Sequence, residues 1–167
     1  MNNYSQYHDE STAFHNETMV YFSQCTPNKV LSLGELLRLT SDVAVEDFAE
    51  RDMSREQLAQ RGIAILVSRV SFRIHRIPRE NEKIITLTKE HDCLPYGKIK
   101  LPDELSLFDE RVIKYSDLDS NGHTTNSRYG AFVADAIPPD FRNTKFKDFR
   151  LNYAKEAMLG ERLSIFG

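Results

Sequence analysis

Two stretches of the chain, Val20 to Thr88 and Ile113 to Gly167, pass through the same signals in the same order, and this duplication restricts the fold more than any other feature. A shift of 94 positions lays Tyr21-Phe22-Ser23 on Tyr115-Ser116-Asp117, and Ser32 on Asn126, two residues that favour a helix N-cap. After Ser32 the apolar residues Leu33, Leu36, Leu37, Ala44 and Phe48 keep a helical period, and Ser32 with Glu35 has the capping-box spacing. After Asn126 the residues Tyr129, Phe132, Val133, Ala136 and Ile137 keep the same period until Pro138-Pro139 stops it. A strand is expected after each helix. A shift of 79 lays Val70, Phe72 and Ile74 on Phe149, Leu151 and Tyr153, with polar residues between them. A turn at 78–81 or 158–161 then leads into a second β-rich run, Lys83–Thr88 or Arg162–Phe166.

A long helix followed by antiparallel strands is the order of an α+β hot-dog fold, in which a sheet wraps around a helix. Two such repeats in tandem are expected: an N-terminal repeat at 13–90, a linker at 91–110 and a C-terminal repeat at 111–167. A sheet of this kind needs about five strands. Each copy offers about three, so both repeats are expected with segments missing. The connector contains Pro95, Gly97 and Pro102 and at most one short strand, Lys98–Leu101.

The chain has 167 residues, of which 40% are apolar, enough for a packed core. Its 22 Lys+Arg against 25 Asp+Glu leave a net charge of -3. No global basic field exists to hold nucleic acid or anionic lipid, and neither is expected as a partner. The longest apolar run, Ile63–Val67, is far short of the roughly 20 residues of a membrane span, and Met1–Glu10 lack the pattern of a secretory signal. The cytoplasm is the expected compartment. Cys25 and Cys93 are too few for a disulfide framework and lack metal-ligand spacing, so both are read as reduced thiols.

The chemistry concentrates in Tyr115–Asn126, where two carboxylates, two amides and an imidazole precede a helix. Three readings compete. A calcium loop would use Asp117, Asp119 and Asn121 with Gly122 at the turn, but Arg128 stands where a bidentate Glu should close the site. An Asx-rich turn would use the side chains only to hold backbone groups, and leaves the imidazole without a task. Catalysis would use Asp119, Asn121 and His123, at i, i+2 and i+4, beside a helix N-terminus whose N–H groups favour developing negative charge.

These residues, with Asn152-Tyr153-Ala154-Lys155-Glu156 and Gly160-Glu161, resemble the C-terminal half of acyl-acyl carrier protein (acyl-ACP) thioesterases of the plant and bacterial type. Val20–Thr88, including Val67-Ser68-Arg69 and His75-Arg76-Ile77-Pro78-Arg79, is similar to the N-terminal half. The resemblance implies a tandem hot-dog enzyme that hydrolyses fatty acyl thioesters on acyl carrier protein in fatty acid biosynthesis. It implies no metal or organic cofactor. Asp119, Asn121 and His123 match the family's D-x-N-x-H triplet, and Glu156 matches its downstream acid. In the scheme this implies, Asn121 and backbone N–H groups hold the carbonyl while His123 and the carboxylates activate the attacker, either Asp119 or water. Ala157 stands where plant members carry a cysteine, and Thr124-Thr125 replace the usual Val-Asn after the histidine.

At the 94 shift the first copy has Cys25, Pro27 and Lys29 against Asp119, Asn121 and His123, and at the 79 shift Ile77 against Glu156. One half is thus expected to catalyse and the other to bind the acyl chain. A pocket three or four carbons too short would reject a longer chain by about 3 kcal/mol, at about 0.8 kcal/mol per methylene. Arg69, Arg73, Arg76 and Arg79 recur at strand spacing, as a solvated face or as a surface for an acidic carrier. His8, His15, His75 and His91 have no partner at ligand spacing. Acyl-CoA hydrolysis on the same fold and a non-catalytic acyl-binding protein are the rival functions, and a homodimer is left open.

Overall fold

A computed structural model of the chain describes residues 5–8, 13–88, 101–141 and 147–167. Cys93, His91 and nearly all of the strand expected at 98–101 lie outside them. The fold is α+β, and every described strand pair is antiparallel. The chain divides into two units that are not contiguous in sequence: residues 1–66 with 76–93, and residues 67–75 with 94–167.

The first unit holds strands β1 (Ser5–His8) and β2 (Phe14–Met19), helices α1 (Leu33–Glu50) and α2 (Arg55–Gln60), and strand β4 (Lys83–Thr88). Its sheet has the order β1-β2-β4, with Phe14 opposite Thr88 and Met19 opposite Lys83. α1 begins as its sequence dictates: the Ser32 hydroxyl accepts the Glu35 N–H at 3.2 Å. The reciprocal half of the capping box is absent, because the Glu35 carboxylate instead accepts the Arg38 guanidinium at 2.8 Å and the Gln24 amide at 3.3 Å. Val20, Leu31 and Leu39 form a buried cluster, joined by Cys25, Leu36, Ile77 and Ile84. Burial of each large side chain there contributes about 1.5–3 kcal/mol.

The second unit holds β3 (Arg69–Arg73), β5 (Leu107–Val112), helix α3 (Asn126–Ala136), β6 (Asp148–Asn152) and β7 (Arg162–Phe166). β3 pairs with β6, Val70 opposite Leu151 and Phe72 opposite Phe149. β5 pairs with β7, with a bulge between Leu107 and Asp109. The N-cap of α3 is Thr125 rather than Asn126, and its side chain makes no cap bond. The helix stops at Ala136, before the two prolines. Ile113, Phe132 and Ala157 form its buried cluster, with Leu118, Tyr129, Leu163 and Ile165 against it.

Candidate active site

Both units build the same backbone frame around the loop that precedes the helix. In the first unit Val20 N–H donates to the Glu82 carbonyl, Asn81 N–H to Val20, and Leu31 N–H to Pro78. In the second, Ile113 donates to Glu161, Gly160 to Ile113, and Thr124 to Ala157. The loop closes alike in both, Cys25 bridging Leu31 and Leu118 bridging Thr124, with Thr26 N–H donating to Val30 and Asp119 N–H to His123, each at 2.8 Å. A left-handed residue stands at the same place, Lys29 at φ 58 and Gly122 at φ 81.

These bonds relate the loops by an offset of 93, one less than the sequence shift of 94, because identities between the loops are too few to fix the register. The counterparts of Asp119, Asn121 and His123 are therefore Thr26, Asn28 and Val30, and not Cys25, Pro27 and Lys29. Ile77 remains opposite Glu156. The first loop thus retains the amide and lacks only the acid, the imidazole and the second acid.

In the second loop Asp119 Oδ1 accepts the N–H of Asn121 at 2.8 Å and of His123 at 3.3 Å, an Asx turn that shapes the loop. Gly122 is left-handed within this turn, a conformation that a Cβ disfavours. The Asn121 residue is exposed and His123 half-buried. A bridge between His123 and Met158 lays the loop along the turn after β6. His123 Nε2 then meets Glu156 Oε2 at 3.3 Å, although the two are 33 positions apart in sequence. The four candidate residues thus sit on two adjacent segments, and the His123 and Glu156 side chains meet.

Directly beyond, the N-terminus of α3 carries no side-chain cap, and the Arg128 N–H turns back to the Thr125 carbonyl at 2.9 Å. The helix is anchored from below by Asp117. Burial opposes ionisation of this carboxyl, but the Lys114 N–H at 2.9 Å and the Arg128 guanidinium at 2.7 Å outweigh it and hold its pKa below the usual aspartate range. Asp117 is therefore committed to Arg128. The carboxylate of Glu161 is also held low, by the Met158 N–H at 3.0 Å and by Lys155 at 3.1 Å.

A shallow pocket of about 310 Å³ lies beside this pair, lined by Tyr129, Glu156, Ala157 and Leu163 among others. Of the four candidates only Glu156 lines it. Ala157 is buried. Tyr129 meets Tyr153 edge-on, with ring centroids 5.3 Å apart. Burial raises the pKa of both phenols, that of Tyr153 to about 12. The Tyr153 hydroxyl is buried without a hydrogen-bond partner among the described residues. Sequence reasoning took both tyrosines as core residues on a helix and a strand, and passed over the Asp117–Arg128 pair. In that pair a first-turn cation stands eleven positions after an acid that closes a 3-10 turn.

Residues 102–167, the part of the chain that contains this geometry, match the family described as acyl-ACP thioesterase C-terminal domain. This part of the chain is similar to that family. Solved thioesterase structures share the fold over most of the chain. A putative oleoyl thioesterase from Lactobacillus plantarum superposes with a TM-score of 0.78 at 13% identity, covering 92% of this chain and 82% of its own. An acyl-ACP thioesterase from Bacteroides thetaiotaomicron gives 0.75 at 17% identity, covering 91% and 85%. A 12:0-ACP thioesterase from Umbellularia californica gives 0.66 at 12% identity, covering 87% and 78%. No curated protein matches the sequence. The acyl-ACP thioesterase match starts before β5 and ends with the chain, so it takes in the His123 loop, α3 and Glu156 together.

Proposed function

We propose that this chain hydrolyses fatty acyl thioesters carried on acyl carrier protein and releases the free fatty acid. The observation that carries the reading is the contact of His123 Nε2 with Glu156 Oε2 beside an uncapped helix N-terminus, inside the segment that matches the thioesterase family. His123 takes a proton from water, whose oxygen adds to the thioester carbon. Asn121 and the first N–H groups of α3 receive the charge that develops on the carbonyl oxygen. Collapse of the adduct breaks the C–S bond, the proton returns to the departing sulfur, and the carboxylic acid leaves. Glu156 orients the imidazole. Asp119 is assigned to shaping the loop, because its Oδ1 already serves two backbone N–H groups, and water is assigned as the attacker.

On the same reading the chain is a tandem pair of hot-dog repeats. Residues 13–90 form a half that binds the acyl chain, 91–110 a linker and 111–167 the catalytic half. Support comes from the paired backbone frames and from Thr26, Val30 and Ile77 standing where the second loop has Asp119, His123 and Glu156. The test is release of free thiol from one acyl chain presented on acyl carrier protein and on coenzyme A. Faster turnover on the protein carrier is expected. Equal or faster turnover on coenzyme A overturns the carrier, and no turnover on either overturns hydrolysis.

A further inference from the structure

We propose that Glu161 is a positioning residue of this site, bracing the turn between β6 and β7 so that Glu156 meets His123. The inference rests on the hydrolase reading above and adds to it a residue that acts only through Glu156.

Glu161 stands directly before β7, and its carbonyl accepts the N–H of Ile113, the residue after β5, at 2.9 Å. Its backbone is therefore tied to the sheet. From this post the carboxylate reaches back over the turn: Oε2 accepts the Met158 N–H at 3.0 Å, and Oε1 accepts Lys155 Nζ at 3.1 Å. The two bonds hold the chain on either side of Glu156. Lys155 is 81% exposed, so its ion pair contributes little, and the charge-assisted bond to the backbone N–H is the stronger half of the brace. Met158 in turn bridges His123, and the Thr124 N–H donates to the Ala157 carbonyl at 2.9 Å. The turn is thus fixed on both sides, to the sheet and to the loop. The Glu156 side chain is 50% exposed, so close packing does not hold it, and its reach to His123 Nε2 at 3.3 Å depends on where the turn places its backbone.

The first unit builds the same brace. At the offset of 79, Glu82 accepts the Arg79 N–H at 2.8 Å and the Arg76 guanidinium at 2.7 Å, while its carbonyl accepts the Val20 N–H at 2.9 Å. What differs is the residue enclosed. Ile77 stands in place of Glu156 and packs against the cluster of Val20, Leu31 and Leu39, where apolar neighbours fix it directly. The brace closes a turn in both units, and in the second it also sets the geometry of a pair that must meet.

The experiment compares Glu161→Ala, Glu161→Gln and Glu82→Ala with the unaltered protein on acyl-ACP, with kcat and KM determined separately, and repeats the Glu161 variants in a Glu156→Gln background. Glu161→Ala is expected to lower kcat about tenfold with KM within about twofold, the kind of loss that follows small misplacement of reacting groups. Glu161→Gln keeps an oxygen for the Met158 N–H and gives up only the ion pair, so its kcat should fall no more than two- to threefold. Glu82→Ala breaks the matching turn and should lower the melting temperature by a similar amount while leaving kcat within twofold. In Glu156→Gln, neither Glu161 variant should lower kcat further. A Glu161→Ala enzyme with kcat within twofold of the unaltered one overturns the proposal. So does a loss confined to KM, a Glu161→Gln enzyme as slow as Glu161→Ala, an equal kcat loss in Glu82→Ala, or a loss that persists in Glu156→Gln. Should Glu161→Ala not fold, Glu161→Gln decides, and a kcat equal to that of the unaltered protein overturns the proposal. If the unaltered protein hydrolyses nothing, the hydrolase reading fails by itself. The brace is then read from the His123 ring-proton NMR signal at fixed pH, which in Glu161→Ala should move toward its position in Glu156→Gln. An unmoved signal overturns the brace.

Discussion

The loop from Thr26 to Ser32 and the loop from Asp119 to Thr125 share nearly every backbone hydrogen bond and almost none of their chemistry. In both, a 3-10 turn leads into a bridged loop, a left-handed residue and a helix N-cap. The bonds that build this frame are main-chain bonds, which side-chain replacement leaves untouched. In the first loop the polar groups are turned to structure: Ser32 caps α1, and Gln24 reaches Glu35. In the second the cap is missing, Asp117 holds Arg128, and His123 faces Glu156. A frame that folds without its side chains leaves those side chains open to catalytic use, and the two loops put that freedom to opposite ends.

The comparison breaks most sharply at His123. Replacing it by the residue of the other loop, His123→Val, is expected to lower kcat for acyl-ACP by at least about a hundredfold, the usual worth of a general base, with the melting temperature little changed. Retained turnover would mean that the difference between the loops is not catalytic. Next comes Asp117→Asn, which removes the charge that Arg128 meets and should cost about 1–2 kcal/mol in urea unfolding at neutral pH. Its pH dependence has a fixed sign. The folded pKa of Asp117 lies below the unfolded value of about 3.9, so its contribution is full above that pH and is lost as pH falls through the folded value. The variant should therefore converge on the parent in stability as the solution is acidified below about pH 4. Ser32→Ala should cost about 1 kcal/mol, the worth of a cap, whereas Thr125→Ala should cost close to nothing, because only the first makes the bond. The left-handed residue tests the shared frame itself. Gly122→Ala is expected to lose about 1 kcal/mol from backbone strain alone, since nothing lies within 4 Å of an added Cβ, and Lys29→Gly to gain a few tenths. Thermal melts of both read this directly.

The elements that the sequence declared most clearly are those dense in apolar and β-branched residues at the period of their own structure. Lys83–Thr88 and Arg162–Phe166 are placed to the residue, and α1 and α3 within two residues. β2 was hidden because its buried face carries Asn16 and Thr18, 4% and 3% exposed, where alternation would demand hydrophobes. β5 was hidden by its bulge, which puts Leu107 and Phe108 side by side and spoils the period of two. Within the candidate site, the residues of the loop were legible because loops concentrate unusual side chains. The contact between His123 and Glu156 was not, since it depends on how the turn after β6 meets the loop. Tyr129 was legible only as helix stripe, since its ring packs like a core residue.

β3 lies between helix α2 and strand β4 in sequence, yet its hydrogen bonds are made with β6. A polypeptide beginning at residue 94 would carry His123, Glu156 and all of α3, and would still leave β6 with a bare row of amide and carbonyl groups along the side that β3 occupies. Bare strand edges recruit other strands. Such a fragment is expected to self-associate when made alone, and a short peptide spanning 67–75 supplied in excess should restore its solubility.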